Sequence, residues 1–259
     1  MTIKELNSYR TLCQEVYDLT KPEPPEIVGD FYWEYARQAK GPILEPMCGS
    51  GRYLLPLLAQ GFDVDGVDAS PQMLAACRAR CEAQGFAPGL YEQFLDEMEL
   101  PRQYALAFIP AASFILITEM EGIKKSLQSI YEALLPGGVF VLEIETVHSK
   151  PTDFGKWWGN TVERSDGSLI ITSGFDRFYD EVQQVGSSLV KYELVCAGKV
   201  METEVEVHHF RLYTLAQFVA WLDEVGFIDV HCWQCWGEYA QRPPAEDDPR
   251  VVFECRRPK

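Results

Sequence analysis

The chain has 259 residues, 47% hydrophobic and 24% charged, with a formal net charge of -16. Such a length and composition suit one globular domain with a sizeable core, or one domain carrying an insertion. The charge argues against nucleic acid as a partner, because phosphate binding needs a cationic footprint and the C-terminal "RRPK" is too short to supply one.

Residues 1–40 read as an N-terminal helical cap, with "KPEPPE" as a connector. Their first stretch, "MTIKELNSYR", lacks the apolar core of a signal peptide. From residue 41 to about 146, apolar runs alternate with amphipathic ones. "GPILEPM" predicts a short buried strand and "RYLLPLLAQG" a helix closed by Gly61. "FDVDGVDAS" predicts a second strand, and "SPQMLAACRARCEAQG" a helix with Ser70 as N-cap, Pro71 at its first position and Gly85 past its end. "GLYEQFL" and "YALAFIP" supply a third and a fourth strand. "EGIKKSLQSIYEALLPGG" has the apolar period of a helix stopped by Pro136 and two glycines, and "VFVLEIE" is a fifth strand. This alternation predicts a Rossmann-like α/β fold, doubly wound, with a mostly parallel sheet.

The pattern changes over 149–213. "SLIITSGFDRFYD", "SSLVKYELVCAG" and "METEVEVHHFRLY" are rich in β-favouring residues and separated by turn signals, which predicts an inserted antiparallel sheet. "TLAQFVAWLDEVGF" returns to helix, capped by Thr214. "DVHCWQCW" and "VVFECRRP" close the chain as strands, the last of them antiparallel to the sheet. The expected division is therefore a cap at 1–40, a cofactor-binding core at 41–148, an inserted β lid at 149–213 and the rest of the core at 214–259. In an open parallel sheet, ligands bind beyond the carboxyl ends of the strands, where an insertion after strand five would stand.

No apolar run approaches the roughly 20 residues that span a bilayer. The eight cysteines are scattered and read as reduced thiols. Cys232 and Cys235, three apart on a strand, face opposite sides, and no second ligand pair completes a zinc site. The expectation is a soluble, cytoplasmic protein with no bound metal.

The chemistry centres on "EPMCGSG". A dinucleotide loop reads G-x-G-x-x-G and receives a pyrophosphate at a helix N-terminus. Here Glu45 ends the strand, where it would oppose a phosphate but attract a cation. Asp68 ends strand two, seventeen residues after Gly51, where an acid accepts hydrogen bonds from both hydroxyls of a ribose. A ligand with an ammonium at one end and a ribose at the other satisfies both acids, and S-adenosylmethionine has that anatomy.

These residues resemble the class I S-adenosylmethionine-dependent methyltransferases of the small-molecule type. The acid-x-Gly-x-Gly-x-Gly motif falls on Glu45 through Gly51, the strand-two acid on Asp68 with "SPQML" after it, and the family's turn before strand five on "LLPGG". The likeness covers most of 41–145 and returns in "TLAQF" and "EVGF". The inserted sheet is similar to the lid of amino-sugar N-methyltransferases. The resemblance implies a cofactor pocket formed by Glu45, Met47, Gly49, Gly51, Arg52, Asp68, Ala69, Met73, Phe94, Leu95 and Ile109, with Arg52 facing the methionine carboxylate and Asp96 a shifted alternative to Phe94 and Leu95. Met47 departs from the motif's first glycine, so the backbone there is expected to manage without a glycine's freedom.

Methyl transfer mainly aligns a nucleophile with an already activated methyl group, and a base is needed only for a protonated acceptor. His208 and His209 are the candidates. On a strand they face opposite sides, so one at most is expected to reach the pocket, and His209 shares its face with Arg211 and Tyr213. Tyr17 matches a tyrosine-aspartate pair of the N-terminal segment that folds over the cofactor in similar enzymes. Trp157 and Trp158 are expected under the lid, with Arg211, Glu143 and Glu145 near the acceptor. The expected function is methyl transfer to O or N of a small molecule. Its alternatives are a non-catalytic S-adenosylmethionine-binding sensor or scaffold and, further off, a nicotinamide-dependent oxidoreductase. The free edge of the inserted sheet offers a surface on which two subunits can pair.

Overall fold

The computed structural model describes residues 6–235 and 242–259. Residues 1–5 of the expected cap and Trp236 of the expected strand lie outside the described residues. Two helices come first, α1 (Thr11–Thr20) and α2 (Glu26–Gln38). Alternating strands and helices follow: β1 (Ile43–Pro46), α3 (Leu54–Ala59), β2 (Val64–Asp68), α4 (Pro71–Ala83), β3 (Leu90–Glu92), β4 (Tyr104–Ile109), α5 (Met120–Ala133) and β5 (Leu134–Glu145). Strands β6 (Trp158–Glu163), β7 (Leu169–Asp180), β8 (Val185–Cys196) and β9 (Lys199–Arg211) form a separate sheet. Helix α6 (Leu215–Val225) and strands β10 (Ile228–Gln234) and β11 (Arg250–Arg256) complete the first sheet.

The first sheet has the order β10-β11-β5-β4-β1-β2-β3. Strand β11 runs antiparallel to both β5 and β10, while β1 pairs parallel with both β2 and β4. Successive residues of each strand point to opposite faces. Leu44, Ala107, Leu142 and Phe253 therefore join α5 and α6 in one core layer, while Ile43, Leu106, Val141 and Val252 join α2, α3 and α4 in the other. Cys232 and Cys235 belong to opposite layers, and all eight cysteines are free thiols. The strand order reverses between β1 and β4, so the carboxyl ends of β1 and β2 sit beside a crevice.

Local signals hold where backbone chemistry is strong. The Ser70 hydroxyl accepts from the Met73 amide with Pro71 at the first helical position, and Thr214 forms a full capping box with Gln217. Elsewhere tertiary pairing moves the boundaries. Helix α5 stops at Ala133, and "LLPGG" joins β5, with the Gly137 amide donating to the carbonyls of Arg257 and Pro258. Strand β3 has three residues, and the chain turns at Leu95–Glu97. Strand β6 is exposed along almost its whole length, so it carries no apolar alternation and owes its form to pairing with β7.

The four inserted strands form an antiparallel meander, β6-β7-β8-β9. Leu12 and Cys13 of α1 are buried against Ile170, Val190 and Tyr192 of this sheet. Arg164 holds Glu15 of α1 with two hydrogen bonds of 2.8 and 2.7 Å. Among the described residues no helix is long and apolar enough to cross a membrane.

Candidate active site

A cavity of about 850 Å³ opens at the carboxyl ends of β1 and β2 and extends to β9 and the start of α5. Its floor is the loop after β1. Met47, Gly49 and Gly51 all have positive φ, at 59°, 55° and 83°. The expectation for Met47 is therefore corrected: the turn demands left-handed backbone there, and this methionine adopts it, a conformation that strains a residue with a Cβ. A Cβ on Gly49 would meet nothing nearer than the Met73 sulfur at 3.9 Å, so this glycine keeps the cavity floor open. Gly51 does not line the cavity. Its missing Cβ makes room for Leu55 and Cys77, which would lie 2.3 and 2.7 Å away, and so lets the loop pack on α3 and α4.

Two carboxylates flank this loop, Glu45 buried and Asp68 half-buried. Asp68 accepts the Gly49 amide at 2.8 Å through Oδ2 and the Ser70 amide at 2.8 Å through Oδ1. Burial raises its pKa, against the downward pull of the Ser70, Gly49 and Ala69 amides. Glu45 is 1% exposed, and its Oε2 is buried without a hydrogen-bond partner. Burial, and after it the charge of Asp68, push Glu45 well above the ordinary carboxylate range, while the Leu54 amide pulls it back. A buried carboxylate left short of a partner and facing a cavity is a site for a cation. The groups present therefore fit S-adenosylmethionine: an unsatisfied acid for an ammonium, a second acid with lone pairs to spare for hydroxyls, and a volume within the range of small-molecule pockets.

The comparisons with known proteins agree. The family profile described as a methyltransferase domain matches residues 43–138. The chain carries a methyltransferase domain. Over 236 residues, 86% of this chain and 87% of the relative, it is 25% identical to a Geobacillus sp. (strain WCH70) protein named as a methyltransferase. The fold matches an S-adenosylmethionine-dependent methyltransferase from Clostridium acetobutylicum ATCC 824 at a TM-score of 0.75, with 19% identity over 95% of this chain and 97% of that one. It also matches the sugar N-methyltransferase KedS8 from Streptoalloteichus sp. ATCC 53650 at 0.74, with 20% identity over 100% and 99% of the two chains. The groups at the cavity of this methyltransferase domain fit S-adenosylmethionine as the methyl donor.

Of the residues singled out by sequence, Tyr17, Glu45, Met47, Gly49, Arg52, Asp68, Ala69, Met73, Phe94, Leu95 and His209 line the methyltransferase's cavity, as does Asp96. Ile109 does not. It is fully buried in the core layer against α5 and α6, and its neighbour Pro110 takes the place at the wall. Trp157 lies outside, 59% exposed on the inserted sheet with its ring 4.8 Å from Phe175, and Trp158 is exposed nearby. Arg211 also lies outside. Its guanidinium is buried and donates to the carbonyls of Thr118 and Gln183, both at 2.6 Å, tying β9 to the loop that precedes α5. Glu145 is held by Arg250 at 2.6 Å and Ser149 at 3.2 Å, away from the cavity. Glu143 accepts the Ala111 amide at 3.2 Å, which fixes a strained loop where Ala111 and Ala112 both have positive φ.

The expectation that one histidine at most reaches the pocket is also corrected. Strand β9 is an edge strand whose margin borders the cavity, so Val207, His208 and His209 all line it. Sequence reasoning missed Tyr9 and Lys21. Lys21 lies in a proline-rich connector with no periodicity, yet its ammonium stands over the Tyr17 ring at 5.3 Å. Burial, and then the charge of Arg52, lower its pKa. Arg52 donates to the Glu23 carbonyl at 2.9 Å, and Arg80 donates to the carbonyls of Ser50 and Pro22, both at 3.1 Å. The Ser50 hydroxyl donates to Asp18, so the N-terminal segment is fastened across the glycine loop.

Proposed function

We propose that the methyltransferase acts on a nitrogen of a small, cationic molecule, in preference to an oxygen. The observation that carries this is the charge of the cavity's outer end, where Asp96, Glu97, Glu119 and Glu121 gather and Lys125 is engaged by Glu121 at 2.8 Å. An excess of carboxylates draws a cationic amine. The fold's likeness to a sugar N-methyltransferase points the same way.

In this reading Glu45 holds the cofactor's ammonium, Asp68 its ribose hydroxyls, Arg52 and Lys21 its carboxylate, and Phe94 and Leu95 its adenine. Gly49, Ala69 and Met73 shape the floor between them. When bound, S-adenosylmethionine supplies a methyl group already activated on sulfur. The chain's own part is to orient the acceptor and exclude water. The N-terminal segment acts as a cap, with Tyr17 at the wall, and the inserted sheet acts as the opposite cover. Two subunits would pair along the edge of β6, since the other free edge, β9, borders the cavity.

The reading is tested by calorimetry with S-adenosylhomocysteine and by labelled methyl transfer into a metabolite extract. Asp68→Ala is expected to weaken binding at least about tenfold, the loss of a bidentate hydrogen-bonded charge. Labelled products that are all O-methyl ethers would remove the nitrogen reading.

A further inference from the structure

We propose that His208, backed by the buried carboxylate of Glu206, is the base that takes the proton from the acceptor's ammonium. The proposal rests on the amine reading of the acceptor given above.

Glu206 lies on β9, 1% exposed, and its two oxygens are spoken for by the N-terminal segment. Oε2 accepts the Tyr9 amide at 3.0 Å and Oε1 the Arg10 amide at 2.9 Å. His208, two residues along the same face, places Nε2 3.1 Å from Oε2, although not in line for a full hydrogen bond. The Tyr9 ring meets the imidazole edge-on, with centroids 5.4 Å apart. The ring is thus wedged between a carboxylate and an aromatic side chain, with Nε2 enclosed, while His208 lines the cavity. In the proposed step the other ring nitrogen, Nδ1, takes the acceptor's proton. A carboxylate behind one imidazole nitrogen sets the tautomer and orientation of the other. His209 has no comparable support; it is exposed.

Other titratable groups on the elements packed there are Glu204 on β9, Arg10 beside Glu206 at 3.6 Å, Cys13 on α1 and Tyr192 on β8, with Asp176 bonded to Ser188 opposite His208, and Asp68 and Tyr17 beside Tyr9. Burial first, and the Glu206 charge after it, push the Cys13 thiol up to about 12, and the Tyr192 hydroxyl lies 3.2 Å from its sulfur. Burial raises the Glu206 carboxyl, yet His208 and the Arg10 and Tyr9 amides outweigh it and leave the group below its usual range. Cys13, Glu206 and His208 also stand close enough to share a metal ion. Here both carboxylate oxygens already accept backbone amides, so the arrangement suits an acid–base pair better than a metal site.

The step is a proton transfer. An N–H bond of the acceptor ammonium breaks, its electron pair stays on the amine nitrogen, and a new N–H bond forms at Nδ1 of His208. The freed pair then forms the bond to the methyl carbon as the carbon–sulfur bond breaks and its electrons stay on sulfur. His208 afterwards releases the proton to water. Glu206 is a positioning residue, not a catalytic one.

Two measurements test this on the full chain. Nitrogen-15 imidazole shifts, taken with S-adenosylhomocysteine present, are expected to show neutral His208 protonated at Nε2, and a mixture of tautomers in Glu206→Gln. A ring protonated at Nδ1, or stoichiometric zinc in the purified protein, overturns the proposal. Label transfer from S-adenosylmethionine into a metabolite extract is expected to fall about a hundredfold in His208→Gln at neutral pH. The deficit should shrink toward alkaline pH, where amines lose their protons unaided, while S-adenosylhomocysteine affinity stays within twofold. His231→Gln, on β10 and stacked on Trp233, is the control. A deficit that is flat with pH, a parallel loss of S-adenosylhomocysteine affinity, or a larger loss in His209→Gln overturns the assignment. Wild-type protein that labels no amine overturns the amine reading itself, a result distinct from amine labelling that His208→Gln leaves intact.

Discussion

The two walls of the cavity each contain a carboxylate that water barely reaches, and the two are opposites. Glu45, on the β1 wall, has an oxygen without a partner and a pKa driven up by burial. Glu206, on the β9 wall, accepts two backbone amides, faces an imidazole, and sits below its usual range despite burial. A buried acid left unsatisfied destabilises the ligand-free fold and awaits a cation; a satisfied one holds the fold together. One wall is thus built to bind, and the other is built to hold the N-terminal segment against the inserted sheet.

Substitution separates the two roles. Glu45→Gln is expected to lower affinity for S-adenosylhomocysteine by about 30-fold or more, the scale for removing one partner of a buried charge pair. The same change should raise the melting temperature of the ligand-free protein, since it removes a desolvated charge. A falling melting temperature would mean that Glu45 is structural. Glu206→Ala is expected to act in reverse, leaving the Tyr9 and Arg10 amides without their acceptor and lowering stability by about 2–3 kcal/mol in urea unfolding.

The contrast extends to pH. Because Glu45 titrates above its unfolded value, the folded ligand-free chain binds more protons than the unfolded one as pH rises from about 4.5, and its contribution to stability falls across that window. A bound ammonium stabilises the ionised form, so S-adenosylhomocysteine binding should release a proton while Glu45 is still protonated. Calorimetry in two buffers of different ionisation enthalpy detects this, and the release should vanish in Glu45→Gln. The smallest effect is expected at Met47. Met47→Gly relieves a positive φ but frees the unfolded chain, so stability should change by less than about 1 kcal/mol and S-adenosylhomocysteine affinity by less than threefold.

The β1 wall was legible because its residues are close in sequence. The glycines of the loop, the acids at Glu45 and Asp68 and the Ser70 cap follow rules of turns, strand ends and helix starts that operate over a few residues. The misplacements there are small. Ile109 is off by one residue, because strand parity sends it into the core and Pro110 to the cavity. The β9 wall was not legible in the same way. Alternation along β9 correctly separates His208 from His209, but it does not tell which face meets Tyr9, or that an edge strand lets both histidines border the cavity. Trp157, Arg211 and Glu145 have the chemistry of an acceptor site and stand elsewhere, drawn off by Phe175, by the carbonyls of Thr118 and Gln183, and by Arg250.

By itself, then, the sequence determined a parallel α/β sheet, a cation-seeking glycine loop and a ribose-seeking acid, since each depends on local backbone geometry and on the charge of a single side chain. The tertiary structure alone decided what covers that loop. The amides that satisfy Glu206 come from residues almost two hundred positions away, and no pattern of neighbours along a chain encodes which distant partner a buried charge will find.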